Sequence, residues 1–253
     1  MSDDTSEAEF DVEARWTVDA VSALGTDHAV PAACRGSGGP AALDWLGRQL
    51  GLDAGTRLLD VGGGLGGPAA YARSTFGASA TVVEPMPRAC EAAMTLFGLP
   101  AVQATVEALP FADAGCERLW CIGVLCTVDD LGPAVRSLSR ITRRDGLIGL
   151  LVYVRTVAEV EDEPATNHFP SAEELDRHLA DSGLAVRTST TLDAMGSPPD
   201  DWDQRADAVD RWIQQAHESD DRWQEAHAAE ERIGQLLEEG TVEGHLLVAQ
   251  RVR

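Results

Sequence analysis

The chain has 253 residues and a mass of 26.9 kDa, 44% hydrophobic and 25% charged, which suits one large α/β domain or two small ones. No apolar run approaches the roughly 20 residues of a membrane-spanning helix, and Met1 to Asp11 is acidic without a basic-then-apolar secretory pattern, so a cytoplasmic location is expected. A net charge of −22 argues against sequence-independent binding of nucleic acid, and the complete lack of lysine excludes Schiff-base chemistry, lysine-held pyridoxal phosphate and a P-loop grip.

The acidity is uneven: Met1–Val30 carries −7 and Asp193–Gly240 carries −10, together 17 of the 22 surplus charges. Solvated helix surface accounts for such stretches, with attraction of a cationic acceptor as the sharper alternative. In chain order, periodicity predicts helices over Val12–Leu24 and Pro40–Leu50, a strand over Arg57–Val61 and a helix over Pro68–Phe76. A strand at Ala80–Val83, a helix at Pro87–Phe97, and strands at Ala101–Ala104 and Arg118–Ile122 follow. Next come a helix at Leu131–Ile141 and a fully apolar strand at Leu147–Val154. Ser171 and Glu174 form a capping-box pattern opening a helix to Ser182, before a strand at Ala185–Thr191. Trp202, Ala206, Val209, Ile213 and Ala216 mark an amphipathic helix, the cluster Ser219 to Asp221 breaks it, and Trp223 to Leu237 continues as another. Leu246–Val252 closes the chain as a strand.

The expected fold is a doubly wound, Rossmann-like α/β sheet of seven mostly parallel strands, with N-terminal helices and a helical insertion before the last strand. One domain covers 1–253, divided into a helical lid (1–50), a cofactor-binding core (57–192), the insertion (200–240) and the last strand (244–253). The five cysteines (Cys34, Cys90, Cys116, Cys121, Cys126) form an odd set suited to reduced thiols, and the five-residue spacing of the last three does not match zinc ligands. No metal site is expected.

The informative stretch is Leu58 to Pro68, where a strand feeds Asp60-Val61-Gly62-Gly63-Gly64-Leu65-Gly66-Gly67 and proline opens a helix. Glycines let backbone approach a ligand, and the helix start offers unpaired N–H groups. Gly62, Gly64 and Gly67 satisfy a dinucleotide pattern, while Asp60, Gly62, Gly64 and Gly66 satisfy a methyltransferase one. Glu84, at the end of the second strand, suits ribose hydroxyls in either case. The late position of the turn, the Asp60 before it and the segments Val106–Phe111 and Trp120–Asp130 favour the second pattern.

On those residues the chain resembles class I S-adenosylmethionine-dependent methyltransferases, particularly the ubiquinone/menaquinone- and sterol-type subgroup. The resemblance runs from Leu58 to Val154, with looser matching through Phe169–Gly183. It carries Asp60, Gly62, Gly63, Gly64 and Gly66 as the cofactor turn. It also implies that Glu84 and Pro85 serve the ribose, and that Thr105, Val106, Glu107 and Cys121 lie about the adenine and the end of strand four. Two positions depart from the family: Thr105 replaces the acid that commonly faces the adenine amine, and Cys126-Thr127 replaces a frequent His-His pair.

The implied activity is methyl transfer to O, N or C of a small molecule, secondary-metabolite or quinone-like, with S-adenosylmethionine as cofactor. Such chemistry needs chiefly in-line positioning, and a base only where the acceptor must lose a proton. His168 is the leading base candidate and Tyr153 the second catalytic candidate, with Arg155 lining the same pocket. Arg35, in a glycine-rich loop, is the candidate fork for the cofactor carboxylate. His28 belongs to the lid region, and His217 and His227 read as solvent-facing. Trp202, Trp212 and Trp223 pack the insertion or roof an aromatic acceptor. A binding protein that keeps the fold without methyl transfer and a nicotinamide oxidoreductase are the competing readings. The expected partner is a small-molecule acceptor, without nucleic acid or stable membrane insertion, and a homodimer is left open.

Overall fold

The computed structural model describes residues 3–252. Met1, Ser2 and Arg253, which the sequence assigns to the ends of the lid and of the last strand, lie outside the described residues. Seven strands form one sheet: β1 (Arg57–Val61), β2 (Ser79–Glu84), β3 (Ala101–Gln103), β4 (Cys116–Ile122), β5 (Thr142–Arg155), β6 (Leu184–Thr191) and β7 (Val242–Arg251). Their order is β3-β2-β1-β4-β5-β7-β6. β7 runs antiparallel to β5 and β6, and the other neighbours pair in parallel. This is the Rossmann-like, mostly parallel architecture that the alternation of apolar strands and helices predicts.

The apolar strands are buried on both faces, and their two-residue period sorts side chains between two cores. Leu119, Cys121, Leu150 and Val152 face helices α6 (Leu131–Ile141) and α7 (Ala172–Asp181). Trp120, Ile122 and Leu151 face α3 (Gly39–Leu50) and α4 (Gly67–Phe76) on the other side. Asp130 caps α6 by accepting from the Gly132 amide, and the Ser171–Glu174 capping box opens α7 as its sequence requires.

Several boundaries differ from the expectation. α1 (Asp3–Leu24) starts nine residues before Val12, since acidic residues in a first turn suit the helix dipole and nothing there breaks the helix. The five-residue α2 (Ala29–Ala33) contains Pro31 and is too short to show a period. β5 begins at Thr142 because Thr142 pairs with Cys116 across a register irregularity, and β7 begins at Val242 because that residue pairs with Arg155.

The insertion folds as α8 (Asp200–His217) and α9 (Asp221–Glu238), separated at the acidic cluster, where the Asp220 carboxylate accepts from the Arg222 amide. These helices share a small core with the N-terminal ones. Trp16, Ala20 and Val21 of α1 and Ala29 and Ala32 of α2 bury against Val209 and Ile213 of α8. α1 also crosses α5 (Pro87–Phe97), where Ala14 meets Ala89 and Ala92 and Asp11 accepts from the Arg88 amide at 2.7 Å. Two segments far apart in sequence thus form one helical cap.

Candidate active site

The strand order reverses between β1 and β4, and in open α/β sheets ligands bind outside the carboxyl ends at such a point. There the glycine turn is fastened to β2, with the amides of Gly62 and Gly63 donating to Val83 O at 2.7 and 3.3 Å. Glu84 fastens it further: one carboxylate oxygen accepts from the Gly64 amide at 2.9 Å, the other from the Met86 amide at 3.2 Å. Burial raises the Glu84 carboxyl above the ordinary range, and those two amides oppose the shift. Gly62 (φ 69°) is obligatory, because a Cβ there would lie 2.2 Å from Val124 Cγ2. A Cβ on Gly64 (φ 50°) would meet nothing within 4 Å, so the turn presents bare backbone at that point.

Asp60, 1% exposed, sits behind the turn with Oδ2 lacking a hydrogen-bond partner. Burial pushes its carboxyl up to about 7; the neighbouring Trp120 indole and Ala69 amide oppose this, and Glu84 adds to it. The indole N–H closes no hydrogen bond, so Trp120 Nε1 is also buried without a partner, as is the Ser37 hydroxyl. Buried polar atoms without protein partners are costly, so each calls for a partner such as a water or a ligand. Ser37 belongs to a strap, residues 33–38, that crosses the crevice. Cys34 of the strap lies close enough to Asp60 for that carboxylate to help burial raise its thiol.

The strap is held by close backbone approach. A Cβ on Gly67 would stand 2.3 Å from Ala33 O, one on Gly123 would stand 3.1 Å from Gly36 O, and the Tyr153 hydroxyl donates to Gly36 O at 3.2 Å. Gly67→Ala should therefore cost about 1–3 kcal/mol, the usual penalty of overpacking against backbone. Urea melts check this, and an unchanged midpoint would mean that the strap yields freely.

The sequence-predicted residues divide accordingly. Asp60, Gly62, Gly63, Gly64, Gly66 and Glu84 converge on the turn, with Gly66 donating to Gly63 O at 2.8 Å. Pro85 follows Glu84, its carbonyl accepting from Gln103 at 2.9 Å. Thr105 and Glu107 are exposed on a short 3-10 turn, while Val106 points into the core beside Val83. Cys121 is fully buried, with its thiol pushed up by burial and by Asp60. All five cysteines are buried free thiols.

Arg35 requires correction. Its guanidinium pairs with Asp210 of α8 and donates to Thr17 of α1 at 3.3 Å, so it ties the cap together rather than facing the glycine turn. Its neighbours there include Glu13 and Glu230, in a cavity of about 200 Å³. Tyr153 is likewise a strut: burial drives its phenol upward, and the hydroxyl donates to Gly36 instead of standing as a base. His217 and His227 are not simply solvated, since their rings stack on Trp16 at 4.2 Å and on Trp223 at 4.6 Å. Trp202 meets Tyr71 edge-on, and Trp212 and Trp223 pack against the cap core, as the packing alternative expects. His28 lies on the surface, its Nδ1 3.2 Å from Gly25 O.

A second cavity, of about 550 Å³, opens at the ends of β4 and β5. Its wall holds Arg155, which donates to Phe169 O at 2.6 Å and pairs with Glu174 at 2.8 Å, and His168. The His168 amide donates to Cys126 O at 2.7 Å, and its Nε2 lies 2.9 Å from Asp129 Oδ1. Sequence reasoning missed Ser37, Trp120 and Asp129, because only the fold shows which polar atoms lack or share partners.

The residues can be tested against the cofactor that the sequence resemblance implies. An adenosyl sulfonium with an amino-acid tail needs a carboxylate for ribose hydroxyls, an acceptor for its ammonium and a donor for its carboxylate. Glu84, the open oxygen of Asp60, the unpartnered Ser37 hydroxyl and the bare Gly64 match that set. Strand order, antiparallel β7 and an acid ending the second strand make this a Rossmann-like sheet with its crevice at the β1–β4 switch.

Residues 59–150 match a family profile described as a methyltransferase domain. Over 106 residues the chain is 33% identical to O-methyltransferase resE of Aspergillus sclerotiorum, a match covering 39% of this chain and 40% of that relative. It thus spans well under half of that protein's length. Among solved structures, the [4+2]-cyclase SpnF superposes with a TM-score of 0.66 at 20% identity, covering 83% of this chain and 79% of that one. Geranyl diphosphate C-methyltransferase from Streptomyces coelicolor A3(2) superposes at 0.60 and 16% identity, over 84% and 77% of the two chains. These two similarities concern the fold alone.

Proposed function

We propose that this protein is an S-adenosylmethionine-dependent methyltransferase acting on a small-molecule acceptor. One observation carries the reading: the buried Glu84 closes the Gly62–Gly64 turn beside an Asp60 carboxyl with an open oxygen. The matched methyltransferase profile over 59–150 supports it. The likeness of segments Thr105–Phe111 and Cys121–Asp130 to the quinone- and sterol-type subgroup supports an acceptor of that kind. Helices α1, α2, α8 and α9 act as the lid of a single methyltransferase domain. Among the described residues no helix is long and apolar enough to cross a membrane.

The bound cofactor supplies an activated methyl group on a positively charged sulfur. Glu84 holds the ribose, Asp60 takes the ammonium and Ser37 donates to the carboxylate, so that three buried groups fix the donor against rotation. Strap and cap exclude water, and positioning of this kind is worth up to about 7–11 kcal/mol. His168, at the larger cavity, accepts a proton where the acceptor has one to lose.

A second reading, a protein of this fold that does not transfer methyl, is favoured by Cys126-Thr127, which stand where the resembled family often has a His-His pair. Calorimetry with S-adenosylmethionine and with NAD, followed by detection of S-adenosylhomocysteine across an acceptor panel, separates the readings. Sulfonium binding with turnover is expected. Binding without any turnover supports the second reading, and NAD binding alone would return the glycine turn to a nicotinamide enzyme.

A further inference from the structure

We infer that Trp120 is a positioning residue for Asp60, its indole N–H holding that carboxylate toward the ammonium of the bound cofactor, an assignment that rests on the methyltransferase reading. Asp60 and Trp120 are register partners in the parallel pair of β1 and β4. Such partners project from the same face of a sheet, and Leu58, two residues before Asp60, shares a core with Trp120. Apart from Cys34, the other buried members of that core are aliphatic. A phenylalanine or leucine would fill such a place without bringing in a polar atom. A buried indole N–H usually finds a partner, and leaving it without one costs free energy.

Trp120 is fully buried with Nε1 unsatisfied, and Asp60 is buried with Oδ2 unsatisfied. A donor and an acceptor, each without a partner, thus stand side by side on adjacent strands. The Asp60 carboxyl also abuts the glycine turn, since a Cβ on Gly63 would stand 2.8 Å from both its Cγ and its Oδ2. The carboxyl is bounded by the indole and by bare backbone. A charged carboxylate accepts from an N–H more strongly than a neutral acid does, and an ammonium favours the charged form, so the two contacts reinforce each other. Among the described residues, the other titratable groups facing Asp60 are Glu84 of β2, Cys34 of the strap and Cys121 of β4. None of these three lowers the carboxyl, whereas the Ala69 amide of α4 and the Trp120 indole do.

This arrangement selects the ligand. Asp60 and Glu84 set two buried carboxyls about the turn, where a sulfonium compound with an ammonium tail is attracted and a pyrophosphate is repelled. The indole sharpens that choice, because its N–H favours the charged form of Asp60 over the neutral one. Loss of the N–H should raise the Asp60 carboxyl further and weaken only those ligands that carry the ammonium. A ligand that ends at the thioether should bind as before.

The test titrates the full chain and its Trp120→Phe variant with S-adenosylmethionine and with methylthioadenosine, which keeps the adenosine and the sulfur but lacks the amino-acid tail. Near neutral pH the variant should bind S-adenosylmethionine about tenfold more weakly, and methylthioadenosine within about twofold of the parent. The rise of S-adenosylmethionine affinity with pH, which Asp60 imposes up to about 7, should extend about one pH unit higher in the variant. Unchanged affinity for S-adenosylmethionine, equal weakening of both ligands, or an unshifted pH profile would reduce Trp120 to packing. Should the variant not fold, magnetic resonance of the parent decides. Of the indole N–H signals from its six tryptophans, the one that Asp60→Asn moves most should shift downfield when S-adenosylmethionine binds and stay in place with methylthioadenosine. A signal that S-adenosylmethionine leaves unmoved overturns the assignment and leaves the cofactor reading standing. Failure of the parent to bind S-adenosylmethionine overturns that reading, and the assignment with it.

Discussion

Asp60→Asn should weaken S-adenosylmethionine binding by about 1.5–3 kcal/mol, roughly 10- to 150-fold, the range for a hydrogen bond to a charged group. The same change should remove a pH dependence from the stability of the ligand-free chain. The folded Asp60 carboxyl titrates near 7 because burial penalises its charge, whereas the unfolded one titrates at about 4. Between those values the folded state holds more protons than the unfolded state, so this group's contribution is complete below pH ~4 and falls as pH rises to about 7. The loss amounts to roughly 4 kcal/mol at most. Asparagine cannot ionise, so the stability difference between variant and parent should move in the variant's favour from pH 5 to pH 8. An ammonium beside Asp60 favours the carboxylate, so the parent should bind the cofactor more tightly as pH approaches 7, and the variant should show no such rise from this site. Urea melts and calorimetry at several pH values check both halves. Equal affinity in parent and variant would remove Asp60 from the ammonium site, and parallel pH profiles of stability would mean that its carboxyl is solvated.

The sheet was legible because each apolar strand carries its own record. Leu147–Val154 can only be covered on both faces, and the glycines after Asp60 can only turn. The convergence of the glycine turn with Glu84 was legible for the same reason: Gly62, Gly64 and Glu84 lie within one βαβ unit, where local spacing sets geometry. What the sequence hid depends on contacts between distant segments. Arg35 lies in a glycine-rich loop that suits a ligand, yet Asp210, 175 residues away, holds its side chain. Tyr153 stands at the end of β5, where pocket residues are expected, yet its partner is a carbonyl in the strap. His217 and His227 have acidic neighbours in sequence and aromatic ones in space. The pairing of Asp129 with His168 joins the β4–α6 and β5–α7 loops, which periodicity cannot align.

Glu84→Ala should weaken S-adenosylmethionine binding by about 1–3 kcal/mol, from several-fold to above 100-fold, through two separable losses. The carboxylate no longer meets the ribose, and the Gly64 and Met86 amides, now 2.9 and 3.2 Å from its oxygens, lose their acceptors. The second loss loosens the turn at Gly64, where a Cβ would meet nothing within 4 Å. Glu84→Gln separates the two: its carbonyl oxygen can keep one amide, while its NH₂ group faces the other donor and can still reach a ribose oxygen. The glutamine variant should therefore recover part of the affinity and most of the turn. Because burial raises the Glu84 carboxyl, its charge costs stability as pH rises above the ordinary carboxylate range. Replacement with glutamine should thus cost the ligand-free chain less at pH 8 than at pH 4. Unchanged affinity in Glu84→Ala would mean that another group holds the ribose, and the exposed Glu107, one short turn away from β3, would be the next carboxylate to test.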